Sequence, residues 1–186
     1  VSSGNYPTIS FQYDKAFAGS EKKYEFDLIA ARVGYNVTLG NKGDLGINLK
    51  AGKFFNADNI SFVDYKHFNG NQTHVGTSDR YLNVFNMMPY YNNSTNDSYF
   101  EAHVEHDFKG YIMNKIPLLN KLQWNLVVGY HHLSIPERAP YHEFTAGFDN
   151  VGFGKFRFFR VDYVRSYQGG QTTDGVVFGL KLLNIL

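Results

Sequence analysis

Apolar and polar residues alternate with period two through segment after segment of this chain, and Gly, Asn and Asp separate the segments. A strand points successive side chains to opposite faces, so each segment acquires one apolar and one more polar face. Trp124, Leu126, Val128 and Tyr130 oppose Asn125, Val127, Gly129 and His131, and Val176, Phe178, Leu180 and Leu182 oppose Val177, Gly179 and Lys181. A soluble antiparallel sheet alternates too, so the apolar face can meet either a second sheet or lipid.

Composition bears on that choice. The 186 residues include 17 Phe and 14 Tyr but one Trp, an aromatic content that two interfacial girdles of a membrane barrel would use. No apolar run approaches the roughly 18 residues of a membrane helix, which leaves a barrel open because its inward face is polar. The fold expected is therefore all-β, an antiparallel transmembrane β-barrel of about eight strands occupying residues 1–186. A net charge of +1 offers no basic stripe for phosphates, so nucleic acid is excluded as a partner. The chain has no cysteine, no Gly-x-Ser-x-Gly elbow and no Gly-rich phosphate cradle before a helix. No catalytic residue, metal or cofactor is expected, and the chain is read as a non-enzyme. It begins at Val1 without Met or signal peptide, as a processed chain or a piece cut from a longer one would.

Along the chain, strands are expected at residues 8–14, 23–39, 44–54, 98–107, 122–132, 141–149, 156–166 and from 175 to the end. In the second of these the apolar set moves from even positions (Tyr24, Phe26, Leu28, Ala30) to odd ones (Val33, Tyr35, Val37, Leu39), which predicts a β-bulge between Ala30 and Val33. Gly40-Asn41-Lys42-Gly43 reads as a tight turn, and residues 55–97 break the rhythm as a long loop, extracellular or inserted in the lumen. If the last strand runs toward the periplasm, turns 40–43, 113–121 and 150–155 are periplasmic. Links 15–22, 55–97, 133–140 and 167–174 then face outside, short turns within and longer loops without.

Glu101, His103, Glu105 and Asp107 share one strand face. Two readings stand: a metal or proton site using His103 and two carboxylates, or a lumen wall whose acids pair with Lys50, Arg160 or Lys181. The pairing is preferred, since one strand cannot wrap an ion. Adjacent His131 and His132 point to opposite faces and are expected at the outer rim. Arg160 and Asp162 should look inward, either as a latch on the 55–97 loop or as part of an interior ion-pair network, because Arg on a lipid face costs about 2–4 kcal/mol at the midplane. Trp124, Leu126, Val128, Phe159, Val161, Phe178 and Leu180 are expected to face lipid, and Gly70, Asn71 and Gln72 to form the tip of the inserted loop.

Several ordered motifs carry a resemblance: Gly52-Lys53-Phe54-Phe55, Phe68-Asn69-Gly70-Asn71-Gln72, Phe85-Asn86-Met87-Met88-Pro89-Tyr90-Tyr91, the run from Phe100 to Gly110, Asn114-Lys115-Ile116-Pro117-Leu118-Leu119 and Phe159-Arg160-Val161-Asp162-Tyr163. They resemble the C-terminal part of a Bacteroidota outer-membrane family of unassigned function, whose members carry an N-terminal carboxypeptidase-regulatory-like domain before a barrel. That barrel is in turn similar to the BamA and two-partner-secretion type. The resemblance implies the C-terminal half of a barrel of about sixteen strands, closing with the remainder of its own chain in the outer membrane of a Gram-negative bacterium. It implies a passage or platform within an envelope export or outer-membrane biogenesis assembly, in contact with outer-membrane lipid and lipopolysaccharide. The alternatives are a TonB-dependent type of nutrient uptake barrel and a small structural or adhesive barrel of about eight strands.

Overall fold

Each alternating segment becomes a strand and pairs with its neighbour in sequence, because side chains of period two fit only a pleated backbone. The computed structural model describes residues 6–17, 21–70, 73–76, 82–154 and 156–181. The strands are β1 (Thr8–Ala16), β2 (Phe26–Thr38), β3 (Asp44–Phe55), β4 (Thr73–Gly76), β5 (Ser98–Asp107), β6 (Asn125–Ile135), β7 (Arg138–Phe153), β8 (Phe156–Gln168) and β9 (Gln171–Lys181). They form one sheet in the order β1-β2-β3-β5-β6-β7-β8-β9-β4, antiparallel throughout except that the short β4 runs parallel to the end of β9. Among the described residues the helical elements are short 3-10 turns. The sheet is open, with β1 at one edge and β4 at the other.

The expected bulge in β2 is absent: its register with β1 and with β3 runs unbroken through Ala30, Ala31, Arg32 and Val33. The shift in apolar parity has another cause. Phe26 and Leu28 point to the inner face, defined here as the one carrying the 56–97 segment, and pack against Phe54, Ala57 and Ile60 at the upper end. Farther down, Val33, Tyr35 and Val37 point outward opposite Leu49, Ile47 and Leu45. The strand stays regular while its apolar side changes partner.

Two connections are tighter than expected. β6 and β7 run on past the predicted link to a turn at Pro136 and Glu137, and β8 and β9 meet at Gly169 and Gly170. Polar strand residues such as Ser134, Arg138, Gln168 and Gln171 carry the hairpins beyond the apolar alternation. At the lower end, Gly43 closes the β2–β3 turn with φ +106, and any Cβ there would collide with the backbone of Asp107. The β5–β6 connection, residues 108–124, is long at that same end. The expected contrast between short lower and long upper connections thus rests on the 56–97 segment.

The described parts of that segment lie against the inner face and form the core with it. Phe68, Phe85 and Met88 of the segment are buried with Tyr99, Leu133 and Tyr141 of β5, β6 and β7. Tyr99 covers Gly52 directly opposite on β3, its ring occupying the space a Cβ would need. The outer face is the reverse. Phe11 at 82%, Phe178 at 63%, Ile9 at 59% and Phe144 at 50% exposure all stand on it.

Candidate functional site: the inner face and its seated loop

β5 sends Glu101, His103, Glu105 and Asp107 to the inner face, as alternation requires, and the first three find partners on other strands or on each other. Lys50 of β3 lies 3.1 Å from Glu101, and His103 Nε2 lies 2.6 Å from the same carboxylate oxygen. His103 Nδ1 also meets Nδ1 of His131 on β6 at 2.7 Å, with both rings fully buried. With both rings neutral, one assignment satisfies these contacts: His103 Nε2–H donates to Glu101 and His131 Nδ1–H donates to His103 Nδ1. His131 therefore faces inward, as its parity requires. His132 faces outward, 3.2 Å from His142 of β7.

Arg160 reaches farther. From β8 it donates through Nε to Asp162 at 2.6 Å and through Nη2 to Glu105 of β5 at 2.8 Å, spanning the two strands between them. Glycines occupy the crossing: Gly129 of β6 pairs with Glu105, and Gly147 of β7 pairs with Asp162. A Cβ at Gly129 would collide with Thr145 Oγ1, and one at Gly147 with Asp162 and the carbonyl of Val161. These small residues keep the floor low enough for a guanidinium to cross it. Burying a charge is tolerable when it is paired and hydrogen-bonded, and Arg160, with two carboxylates, meets that condition.

The loop is seated by a residue the alternation did not single out. Glu143 of β7 is wholly buried and accepts hydrogen bonds from Asn86 N at 2.7 Å, Asn86 Nδ2 at 2.9 Å, Met87 N at 2.9 Å and Tyr141 Oη at 2.8 Å. Phe85, next in the loop, lies over His103 with ring centroids 4.7 Å apart and edge-on to Tyr141 at 5.6 Å. Asn83 hydrogen-bonds Asn48, which accepts from Arg32 Nε at 2.9 Å. Leu82 and Met87 rest where Gly46 of β3 and Gly175 of β9 leave room, so the loop crosses nearly the whole sheet. Higher up, Thr95 donates to Glu137 at 2.8 Å and Gln168 donates to Asn93 at 2.8 Å. Lys66, over the Tyr99 ring, has its pKa pushed down by burial, against the pull of nearby Glu101.

The predicted residues divide accordingly. Glu101, His103, Glu105, Arg160 and Asp162 form the inner network, and Lys50 and Arg160 are the basic partners the acids were expected to find. Arg160 joins the ion pairs, and Glu143 provides the hooks on the loop. Lys181 holds an inner-face position at the end of β9, with its side chain outside the described residues. Gly70 is buried, pairs with Phe85, and faces the carbonyl of Met88 so closely that a Cβ would not fit; Asn71 and Gln72 lie outside the described residues. Leu126, Val128, Phe159, Val161, Phe178 and Leu180 all occupy the outer face. Trp124 precedes β6 and packs tilted against Phe148 with centroids 5.7 Å apart. Sequence reasoning missed Glu143, Asn86 and the two crossing glycines. A buried-face acid flanked by Tyr141 and Thr145 was the available signal for Glu143.

Fold and site together define a β-sheet protein with an apolar outer face, an ion-paired inner face and a loop of its own held against the latter. The family described as "Family of unknown function (DUF5686) C-terminal domain" matches residues 1–148, and the chain belongs to that family. Neither the curated proteins nor the solved structures contain a match to it.

Proposed function

We propose that this chain is the C-terminal half of an outer-membrane β-barrel of about sixteen strands, of the Bacteroidota type with an N-terminal carboxypeptidase-regulatory-like domain and a BamA-like barrel. Its strands close with others from the remainder of the same chain. The barrel serves as a passage or platform in an envelope export or outer-membrane biogenesis assembly, and the 56–97 segment acts as the plug of its lumen. The observation that carries the reading is the inversion of the two faces: large apolar side chains stand exposed on one, while carboxylates, imidazoles and a guanidinium are buried on the other. Exposed apolar surface on this scale is characteristic of surfaces that meet lipid or another protein.

Two further features favour half of a large barrel. A closed barrel of about eight strands is filled by its own side chains and leaves no volume for a loop of this length. β1 is exposed along eight of its nine residues, inner-facing Ser10, Gln12 and Asp14 included, as a strand awaiting neighbours would be. On β2 the outward residues Ile29, Ala31, Val33, Tyr35 and Val37 are uncharged, a span of the roughly 9–11 residues with which a tilted strand crosses a bilayer.

The test uses the full-length protein in its native host. Phe178→Arg should remove the protein from the outer-membrane fraction and abolish its heat-modifiable band, while Asn125→Arg, on the inner face, should leave both. Equal behaviour of the two variants would overturn the assignment of the outer face to lipid.

A further inference from the structure

The long connection between β5 and β6 lies at the end of the sheet opposite the mouth of the seated loop. Its base is fixed: Phe108 N donates to Leu126 O at 2.9 Å, and Met113 is buried. Beyond that base three apolar side chains stand in solvent, Leu118 at 78%, Ile116 at 40% and Leu119 at 37% exposure. Leu118 sits at φ +74, a region that a residue with a Cβ enters at a cost. A strained backbone that turns a leucine outward demands an explanation that solvent does not provide.

Charge supplies the second observation. Residues 108–124 contain Lys109, Lys115 and Lys121 and no acidic residue. Lys109 pairs with Asp44, whereas Lys115 lies 3.7 Å from the centroid of the Tyr111 ring and remains exposed together with Lys121. Lys42, in the 3-10 turn Gly40–Lys42 at the same end, is exposed as well. Continuity is the third. The connection ends in Trp124, whose ring lies tilted against that of outward-facing Phe148, so its last residue already belongs to the apolar outer face.

We propose that residues 108–124 form an interfacial anchor in which Ile116, Leu118 and Leu119 enter the periplasmic leaflet of the membrane and Lys115 and Lys121 rest on anionic phospholipid headgroups. An apolar set flanked by lysines is the composition of segments that lie in a membrane interface, and each basic residue near an anionic surface strengthens the attachment. An acidic protein would match the charge, but a lipid leaflet matches both the charge and the position of the connection, which runs directly into the outer face at Trp124. The inference rests on the barrel reading.

These 186 residues contain no cysteine, so with any cysteine elsewhere in the full-length protein replaced by serine, a spin label reports from a single site. In the full-length protein in nanodiscs of phosphatidylethanolamine and phosphatidylglycerol, a nitroxide at Leu118→Cys should collide readily with oxygen and poorly with a water-soluble nickel chelate. A nitroxide at Phe178→Cys reports on the barrel itself. A lipid signal at 178 with a water signal at 118 overturns the anchor alone, and a water signal at 178 overturns the barrel and the anchor with it. Protection of position 118 in native outer membranes but not in nanodiscs would assign the patch to a protein and also overturn the proposal. Lys115→Gln and Lys121→Gln should each weaken the preference for phosphatidylglycerol over phosphatidylcholine about fivefold. No change in that preference overturns the role of the lysines. In intact cells a membrane-impermeant maleimide should leave position 118 unmodified, and its modification would overturn the choice of leaflet.

Discussion

Glu143 and Phe144 are consecutive in β7, yet the carboxylate is 0% exposed and the phenyl ring 50%. In a sheet packed around an ordinary apolar core the two would be reversed. The burial of Glu143 is made possible by four donors that converge on it, two of them backbone N–H groups of the loop. Nothing comparable supports Phe144, and leaving a large apolar side chain in water forgoes about 1.5–3 kcal/mol. One such residue means little, but the arrangement repeats at Phe11, Phe159, Val176 and Phe178. The two faces of one strand therefore differ in kind, the inner ordered by buried polar contacts and the outer presenting large exposed apolar side chains.

The strongest way to break this contrast is to place charge on the outer side. Val128→Arg should cost about 2–4 kcal/mol at the bilayer midplane, lowering folded yield in the outer membrane, while the same change at neighbouring Asn125 should be nearly silent by the same gel assay. Next comes Glu143→Ala, which strands the Asn86 and Met87 N–H groups and should cost about 1–3 kcal/mol for each buried donor left unpaired. Limited proteolysis would then cut within 82–97 while the strands survive, and unchanged protection would show that the loop is held elsewhere. Gly147→Ala should cost about 1–3 kcal/mol by forcing Asp162 and the Val161 carbonyl aside, read as a lower denaturation temperature and a weakened hold on Arg160. The smallest effect is expected at the edge. Lys15→Ala removes a solvent-exposed pair with Asp27, 3.3 Å apart on β1 and β2, and should leave thermal stability unchanged within error.

The faces of the strands were legible in the sequence because alternation is a local property, and each of Leu126, Val128, Phe159, Val161, Phe178 and Leu180 stands where its parity puts it. Partnership was legible where charge was scarce. With few basic residues at inner-face positions, Lys50 and Arg160 were the natural companions of Glu101 and Glu105. The seat of the loop was not legible. Its donors at Asn86 and Met87 are separated by more than fifty residues from their acceptor, and two of the three are backbone groups that every residue but proline carries. The bulge expected in β2 failed for a related reason: parity reports which side is apolar, and in β2 the apolar side changes because a loop from elsewhere covers Phe26 and Leu28. The hairpins at 136–137 and 169–170 were underestimated because strands continued by backbone pairing need no apolar pattern at their tips.

Several of the loop's anchors follow it in the chain. Glu143 belongs to β7, Gly175 beneath Met87 belongs to β9, and the partners of β4 are Phe178 to Lys181, near the end of β9. Strands from β5 onward can zip to their predecessors one hairpin at a time, but residues 73–76 have nothing to pair with until β9 exists. Their seating must therefore be among the last events of maturation. The loop can thus meet β3 early, through Asn83 and Leu82, whereas the β4 pairing closes only once β9 is in place.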